Sequence, residues 1–347
     1  MIKERQQVFR RLRTWLAGKV RTRTEPRPVR GQVDHVVILD GTLSTLEPGD
    51  ETNAGLTYKL LCECAPSARL SILYEAGIQW ETWKHSWHVA TGVGINRQIR
   101  RAYGFLASRY RPGDRIFLLG YSRGAFAVRS LAGVIDQVGL LTAVHATERN
   151  IRDVYRHYQC SPNSDAAAVF AKSYCHAEAP IEMVGVWDTV KALGLRWPLV
   201  WRLFEPQHRF HSTHLGGSIH HGYHALALDE TREAFEPVLW ACDPGFTGRV
   251  EQVWFRGAHG DIGGQLGGFD AARPLSNIPL VWMLGKMEGC GVALPPGWRA
   301  GFPCNPGAPS VGTLRGWGKM FVHRRKRRVG GDPSERLFSA RPVSPVS

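Results

Sequence analysis

The chain has 347 residues, of which 43% are hydrophobic, and Lys and Arg outnumber Asp and Glu by 44 to 30. This length can bury one large α/β core or two smaller ones. We expect no membrane span, because Arg196 and Arg202 interrupt the most apolar stretch and a span needs about 18 uninterrupted apolar residues. Seven cysteines without a C-x-x-C pair predict neither a disulfide framework nor a zinc site.

The positive charge is concentrated at the two ends. Residues 1–30 carry ten Lys or Arg against two acids, residues 315–347 carry nine against two, and residues 31–314 are close to neutral. Apolar residues of the first segment share one side of a helical wheel and predict a basic amphipathic helix: Val8, Phe9, Leu12, Trp15 and Leu16. We therefore divide the chain into a basic amphipathic N-terminal segment, a body over residues 31–314 and a basic C-terminal tail.

Such ends suit attachment to an anionic membrane surface. A helix packed on the body and a solvated tail explain them equally well, and both interpretations stay open. Nucleic acid is not an expected partner, because neither end interleaves aromatic residues with its charges. The start resembles a transit peptide but has no apolar region of a secretory signal. We expect a cytoplasmic or peripheral membrane protein, with export by a secretion apparatus in the folded state as an open alternative.

Within the body, apolar runs alternate between strand and helix patterns. The predicted strands are "DHVVILDGT", "ARLSILYEAGI", "RIFLLG", "IEMVGVWDTV" and "EQVWF", and the predicted helices include "INRQIRRAYGFLASRY" and "AFAVRSLAGVI". This alternation predicts an α/β fold with a mostly parallel central sheet and helices on both faces.

A G-x-S-x-G pentapeptide, Gly120 to Gly124, lies between a predicted strand and a predicted helix. This is the setting of a nucleophile elbow, in which a sharp turn exposes the serine and the glycines let strand and helix approach closely. The pentapeptide by itself is equally compatible with an ordinary turn. Its position between strand and helix favours Ser122 as a nucleophile.

A nucleophilic serine needs a base, and the base needs an acid that orients it. In α/β hydrolases the chain order is serine, acid, histidine, and Asp188 and His259 follow Ser122 in that order, each just after an apolar strand. Asp188 also suits a helix cap, and His259 also suits a plain loop histidine. Asp261 is the rival acid, although its position two residues after His259 favours a role in shaping the "HGDIGG" loop.

An oxyanion hole needs two N–H donors. The sequence predicts the backbone N–H of Arg123, which follows the serine, and that of Gly41 in "LDGT", with Asp40 and Thr42 fixing this loop. An aspartyl phosphatase is rejected, because Ile38 stands where the first aspartate of D-x-D-x-T is required.

The stretch between Asp188 and His259 is rich in apolar and histidine residues. Its apolar cluster predicts either a helical lid over the site or a helix packed on the domain: Trp197, Leu199, Val200, Trp201, Leu203 and Phe204. Its histidines have no cysteine or carboxylate at a recognised ligand spacing, so we expect no metal and no cofactor: His208, His211, His214, His220, His221 and His224.

Taken together, "VVILDGT", "YRPGDRIFLLGYSRGAFAVRSLAG", "VGVWDTV", "HALALDETREAFEPVLW", "VWFRGAHGDIGG" and "LSNIPLVWM" resemble the catalytic domain of the type VI secretion lipase effectors, a branch of the α/β hydrolases. The resemblance covers about residues 33–285. It implies an α/β-hydrolase fold and phospholipase A activity, with the family serine and histidine at Ser122 and His259 and the acid at Asp188. His224, Asp229 and Arg232 match a further block and are expected to be structural.

One departure concerns the family's D-G-T-x-N block, where Leu43 and Ser44 stand in place of the last two positions. The leading expectation is a serine hydrolase that cleaves carboxylic esters through an acyl-enzyme, with a phospholipid or another ester as substrate. A non-catalytic membrane- or partner-binding module on the same fold, and a small-ester or thioester hydrolase with the same residues, remain as alternatives.

Overall fold

The computed structural model describes residues 30–64, 69–77, 93–190, 215–242, 245–315 and 321–339. Residues 33–347 form one compact unit, and residues 1–32 form another. The predicted N-terminal amphipathic helix, with its apolar side from Val8 to Leu16, and the apolar cluster at residues 197–204, predicted as a lid or a packed helix, lie outside the described residues. Among the described helices, none has both the length and the apolar character needed to cross a bilayer.

Strands and helices alternate along most of the described chain. Their bounds are β1 Asp34–Leu39, α1 Asn53–Cys64, β2 Leu70–Glu75, α2 Val93–Arg109, β3 Arg115–Tyr121, α3 Arg123–Gln137, α4 Glu148–Cys160, α5 Asp165–Tyr174, β4 Ile181–Trp187, β5 Ile219–Ala227, β6 Arg249–Phe255, α6 His259–Gly263, α7 Arg273–Gly289 and β7 Glu335–Leu337. The seven described strands form one all-parallel sheet in the order β2-β1-β3-β4-β5-β6-β7.

Both faces of the sheet are covered, which explains why β3 and β4 are mostly apolar rather than alternating in pattern. On one face α2 and α3 pack through Ile99, Leu106 and Leu131. On the other face α1 and α7 pack through Leu61 and Met283. The predicted α/β fold, with a parallel sheet between two helical layers, is confirmed.

The register of the central strands positions the site. Leu39 of β1 pairs with Gly120 of β3, and Tyr121 of β3 pairs with Trp187 of β4. These strands therefore end at nearly the same level, and the residues that follow them come together. In open α/β sheets, sites form outside these carboxyl ends.

Gly124, in the first turn of α3, is a point of very close packing. A Cβ atom there would lie 2.0 Å from the carbonyl oxygen of Leu39 and 2.5 Å from that of Asp40. We expect Gly124→Ala to lower the free energy of unfolding by about 3 kcal/mol or more, because the rigid end of β1 cannot move aside. Urea unfolding measures this difference.

Gly289→Ala is the matched control, because a Cβ atom there would meet nothing within 4 Å. Its stability should stay within about 1 kcal/mol of the wild type. Equal stability of Gly124→Ala and the wild type would contradict the close contact between α3 and β1.

Candidate active site

The structure joins the three side chains that the sequence singles out. The Ser122 Oγ lies 2.9 Å from His259 Nε2, and His259 Nδ1 lies 2.6 Å from Asp188 Oδ2. All three residues are buried. This hydrogen-bonded chain can move a proton between the serine hydroxyl and the imidazole while the carboxylate fixes the ring.

Ser122 sits on a strained turn between β3 and α3. Its φ of 55° and ψ of −117° lie in a region that residues with a side chain rarely adopt. The Ser122 N–H donates a hydrogen bond of 3.0 Å to the Trp187 carbonyl, which ties the turn to β4. Gly120 packs tightly against the start of α3, as the elbow pattern requires. Strain of this kind is held by the surrounding structure and is typical of functional sites.

Asp188 receives hydrogen bonds on both carboxylate oxygens. Oδ1 accepts from the Ala227 N–H at 3.0 Å and from Arg327 Nη1 at 2.5 Å, and Oδ2 accepts from His259 and from Arg327 Nη2 at 3.0 Å. Burial would raise the pKa of Asp188, but the Arg327 guanidinium and then His259 hold that pKa well below its usual range. Asp188 is therefore an anion at neutral pH.

His259 is held by its backbone as well as by its ring. Its N–H donates to Glu230 Oε2 at 3.1 Å, and Glu230 is itself paired with Arg232 at 2.8 and 2.7 Å. The imidazole packs between the rings of Tyr121 and Phe235, whose centroids lie 4.9 and 4.8 Å away. Glu230 therefore anchors the histidine, a role that the sequence analysis did not assign to it.

Asp261 has a different environment from Asp188. Its carboxylate accepts from the Ala258 N–H at 2.7 Å, the Ser310 hydroxyl at 2.5 Å and the Val311 N–H at 2.8 Å. These bonds join residues 258, 310 and 311 around His259. The carboxylate that meets the imidazole is that of Asp188.

The "LDGT" loop lies beside Ser122. A Cβ atom on Gly41 would lie 2.7 Å from the Tyr121 ring and 3.4 Å from the Ser122 Cβ. The Gly41 N–H donates to the buried Asp40 carboxylate at 2.6 Å, so its use as an oxyanion donor requires the Gly41 peptide to rotate. Arg123 begins α3, so its N–H belongs to the first turn and has no partner within the helix.

Further contacts brace this loop. Thr52 and Tyr74 donate to Asp40 Oδ2 at 2.6 and 2.8 Å, and Gln265 donates to the Thr42 carbonyl at 3.0 Å. Burial raises the pKa of Asp40, and the hydrogen bonds it accepts oppose that rise. At the departure from the family block, Ser44 Oγ accepts the Gly77 N–H at 3.0 Å. The serine therefore makes a loop contact of its own at that position.

The remaining residues of the "HALALDETR" block support the site from behind. His224 Nε2 accepts the Thr189 N–H at 3.1 Å, next to Asp188. Burial lowers the pKa of His224 to about 3, so this imidazole is neutral. Asp229 accepts the Gly257 N–H at 2.7 Å. These contacts fix the ends of β4 and β6, from which Asp188 and His259 follow.

One cluster in the described part of the chain has metal-ligand chemistry. Glu182, His221 and Cys290 each offer a donor atom, and these atoms lie within 4.8 Å of one another. Glu182 and His221 lie near the amino ends of β4 and β5, at the sheet edge opposite Ser122. Burial and then the Glu182 carboxylate raise the pKa of the Cys290 thiol, which disfavours the thiolate that a metal would need.

The parallel sheet, its two helical layers and the strand-to-helix turn at Ser122 define an α/β-hydrolase fold. The edge of its sheet at the carboxyl ends of the strands carries a hydrogen-bonded serine, histidine and aspartate. Residues 34–286 match the model of the family described as T6SS, phospholipase effector Tle1-like, catalytic domain, and the chain belongs to this family. The resemblance stated from the sequence is thereby confirmed.

Individual proteins that the chain resembles share less than a third of the aligned residues with it. The chain is 29% identical over 233 residues to the uncharacterized protein YEL023C of Saccharomyces cerevisiae, covering 60% of this chain and 33% of that protein. An uncharacterized protein from Pseudomonas aeruginosa is similar in structure, with 15% identity, coverage of 79% of this chain and 49% of that chain, and a TM-score of 0.41. The Tle1 effector bound to the VgrG spike of a type VI secretion system gives 16% identity, 69% and 52% coverage, and a TM-score of 0.29. The chain thus spans about a third of the yeast relative and about half of each structural relative.

Proposed function

We propose that this protein is a serine esterase that hydrolyses phospholipids through an acyl-enzyme. The observation that carries the proposal is the continuous hydrogen bonding from Ser122 Oγ through His259 to Asp188, with the serine on a turn of positive φ. The family's description as phospholipase effectors supports a phospholipid as the substrate.

In the first half-reaction, Ser122 Oγ attacks the ester carbonyl carbon while His259 Nε2 takes the hydroxyl proton. Asp188 stays ionised and stabilises the imidazolium. The carbon–oxygen bond to the leaving alcohol then breaks, and His259 returns the proton to that alcohol. The lysophospholipid leaves, and the acyl group remains on Ser122.

In the second half-reaction, water attacks the acyl-enzyme and gives a proton to His259. The bond to Ser122 breaks, the proton returns to Oγ, and the fatty acid leaves. The negative oxygen of each tetrahedral intermediate needs donors beside Ser122. We assign these to the Arg123 N–H and, after rotation of its peptide, to the Gly41 N–H.

We infer that the substrate is presented at an anionic membrane surface, where the basic N-terminal segment and the exposed Lys326 and Arg328 bind lipid headgroups. The family's description also supports export by a type VI secretion apparatus, which we propose for this chain. Sedimentation with vesicles of neutral and of anionic lipid tests the first inference. Detection of the protein in culture supernatant, with and without a working apparatus, tests the second.

The test of the chemistry is fatty-acid release from anionic phospholipid vesicles, run beside nitrophenyl esters of increasing chain length. We expect release from the vesicles and covalent labelling of Ser122 by a fluorophosphonate probe, located by mass spectrometry of the labelled peptide. The matched label control is a sample denatured before the probe is added, in which Ser122 should not react. Vesicle binding without hydrolysis or labelling would overturn the esterase proposal and favour a membrane-binding module.

A further inference from the structure

The C-terminal segment Phe321–Arg327 is paired with residues 231–236 next to the site. The His323 carbonyl accepts the Glu233 N–H at 3.1 Å, and the Arg325 N–H donates to the Thr231 carbonyl at 2.7 Å. Phe321 packs against Phe235 with 5.4 Å between ring centroids. This part of the basic C-terminal region therefore contacts the same loop that holds His259.

Two arginines of this segment have opposite environments. The Arg325 side chain is 65% exposed and pairs with Glu236 on the surface. The Arg327 side chain is 5% exposed and reaches the buried Asp188 carboxylate with both terminal nitrogens, at 2.5 and 3.0 Å. It also donates to the carbonyls of Ala227, at 2.8 Å, and Phe235.

We propose that Arg327 is a positioning residue for Asp188, which fixes the carboxylate towards His259 and offsets part of its negative charge. The inference rests on the proposed function of the Ser122–His259–Asp188 group. Arg327 lies outside residues 34–286, which the family model matches.

The orienting effect follows from the hydrogen bonds. A carboxylate bound only by an imidazole can rotate about its Cβ–Cγ bond. The two Arg327 nitrogens and the Ala227 N–H occupy the other acceptor positions of Asp188 and leave one lone pair of Oδ2 for His259 Nδ1. A planar guanidinium is suited to fixing a carboxylate in this way.

The charge effect follows from Coulomb's law. An isolated buried Asp188 anion would bind the imidazolium strongly and so favour the protonated ring. The Arg327 cation offsets part of that attraction, so removing its charge is expected to favour the imidazolium. Other titratable or charged groups also lie close to Asp188 and His259 or to the residues beside them: Tyr121, His224, Glu230, Arg232, Asp40 and Arg129. Arg327 is the cation in contact with Asp188 among the described residues.

The test compares Arg327→Gln, which removes the charge, with Arg327→Lys, which keeps the charge but loses the planar fork. The readout is the pH profile of kcat/KM for a nitrophenyl ester. In Arg327→Gln the acidic limb should move to higher pH by about one unit. In Arg327→Lys the limb should stay in place while kcat falls. Arg325→Gln is the matched control and should keep the wild-type profile and kcat.

A second readout separates this inference from the proposed function. NMR of the His259 imidazole follows its protonation without any turnover, and its curve should be displaced in Arg327→Gln in the same direction. An inactive wild type with this displacement would overturn the esterase proposal but support the charge effect. If folded Arg327→Gln moves neither the NMR titration curve of His259 nor the acidic limb of the pH profile, the inference is overturned. If Arg327→Gln does not fold, Arg327→Lys decides. A kcat equal to that of the wild type in Arg327→Lys would overturn the positioning role. A lower kcat with an unmoved acidic limb would support it.

Discussion

Ser122→Ala is expected to lower kcat for ester hydrolysis by about 10⁶-fold, because the variant has no atom that can form the acyl-enzyme. The Oγ removed is the one that lies 2.9 Å from His259 Nε2. The fold should survive, since alanine keeps the Cβ atom and one hydrogen bond to a described residue is lost. The free energy of unfolding should therefore change by about 1 kcal/mol. Fatty-acid release and urea unfolding measure the two effects.

Ser130→Ala is the matched control for this substitution. Ser130 lies in α3, the helix that follows Ser122, and is fully buried, but its Oγ donates to the Phe126 carbonyl at 2.8 Å, one turn earlier. Its kcat should equal that of the wild type. Turnover by Ser122→Ala at a wild-type rate, with full dependence on enzyme concentration, would show that another group is the nucleophile.

The strands that position Ser122 and Asp188 were predictable because their apolar patterns are local features of the sequence. Strands β1, β3 and β4 are apolar over their last four or more residues apart from glycine, and each is followed at once by the residue of interest: Asp40, Ser122 and Asp188. Parallel strands place such residues at one edge. Chain order and this shared edge were therefore enough to bring Ser122, Asp188 and His259 into one candidate site.

Strand β5 was not predicted, because its sequence "IHHGYHALA" interrupts the apolar pattern with histidines. The structure explains their presence individually. His220 is half exposed and lies near Glu182, whereas His224 is fully buried and accepts the Thr189 N–H. A polar residue that is satisfied by one distant partner gives no periodic signal.

Arg327 and Glu230 were missed for a related reason. A run of basic residues such as "HRRKRR" is typical of a solvated tail, and the sequence does not show which member meets a buried acid. That choice is made by the pairing of the segment with residues 231–236, over about a hundred positions of chain. The helix predicted at residues 197–204, as a lid or packed on the domain, stays a prediction.

Asp188→Asn is expected to lower kcat by about 10⁴-fold, because an amide no longer fixes the imidazole tautomer in which Nε2 accepts the Ser122 proton. The substitution also leaves the buried Arg327 without its anion, so the free energy of unfolding should fall by about 3 to 5 kcal/mol. Activity must therefore be expressed per folded protein, with the folded fraction measured by circular dichroism.

The difference in the free energy of unfolding between the wild type and Asp188→Asn should shrink as the pH falls. Asp188 has a pKa well below its ordinary value in the folded state, so its contribution is complete above the unfolded value, near pH 4, and is lost as pH falls below it. The wild type and Asp188→Asn should therefore converge in stability in acid.

Asp261→Asn is the matched control, since Asp261 is the other acid beside the histidine and its carboxylate bonds the loop. It should lose stability but far less kcat than Asp188→Asn. The reverse order of the two kcat losses would transfer the role of orienting acid from Asp188 to Asp261. Because Arg327 contacts Asp188, that result would also remove the basis for its positioning role.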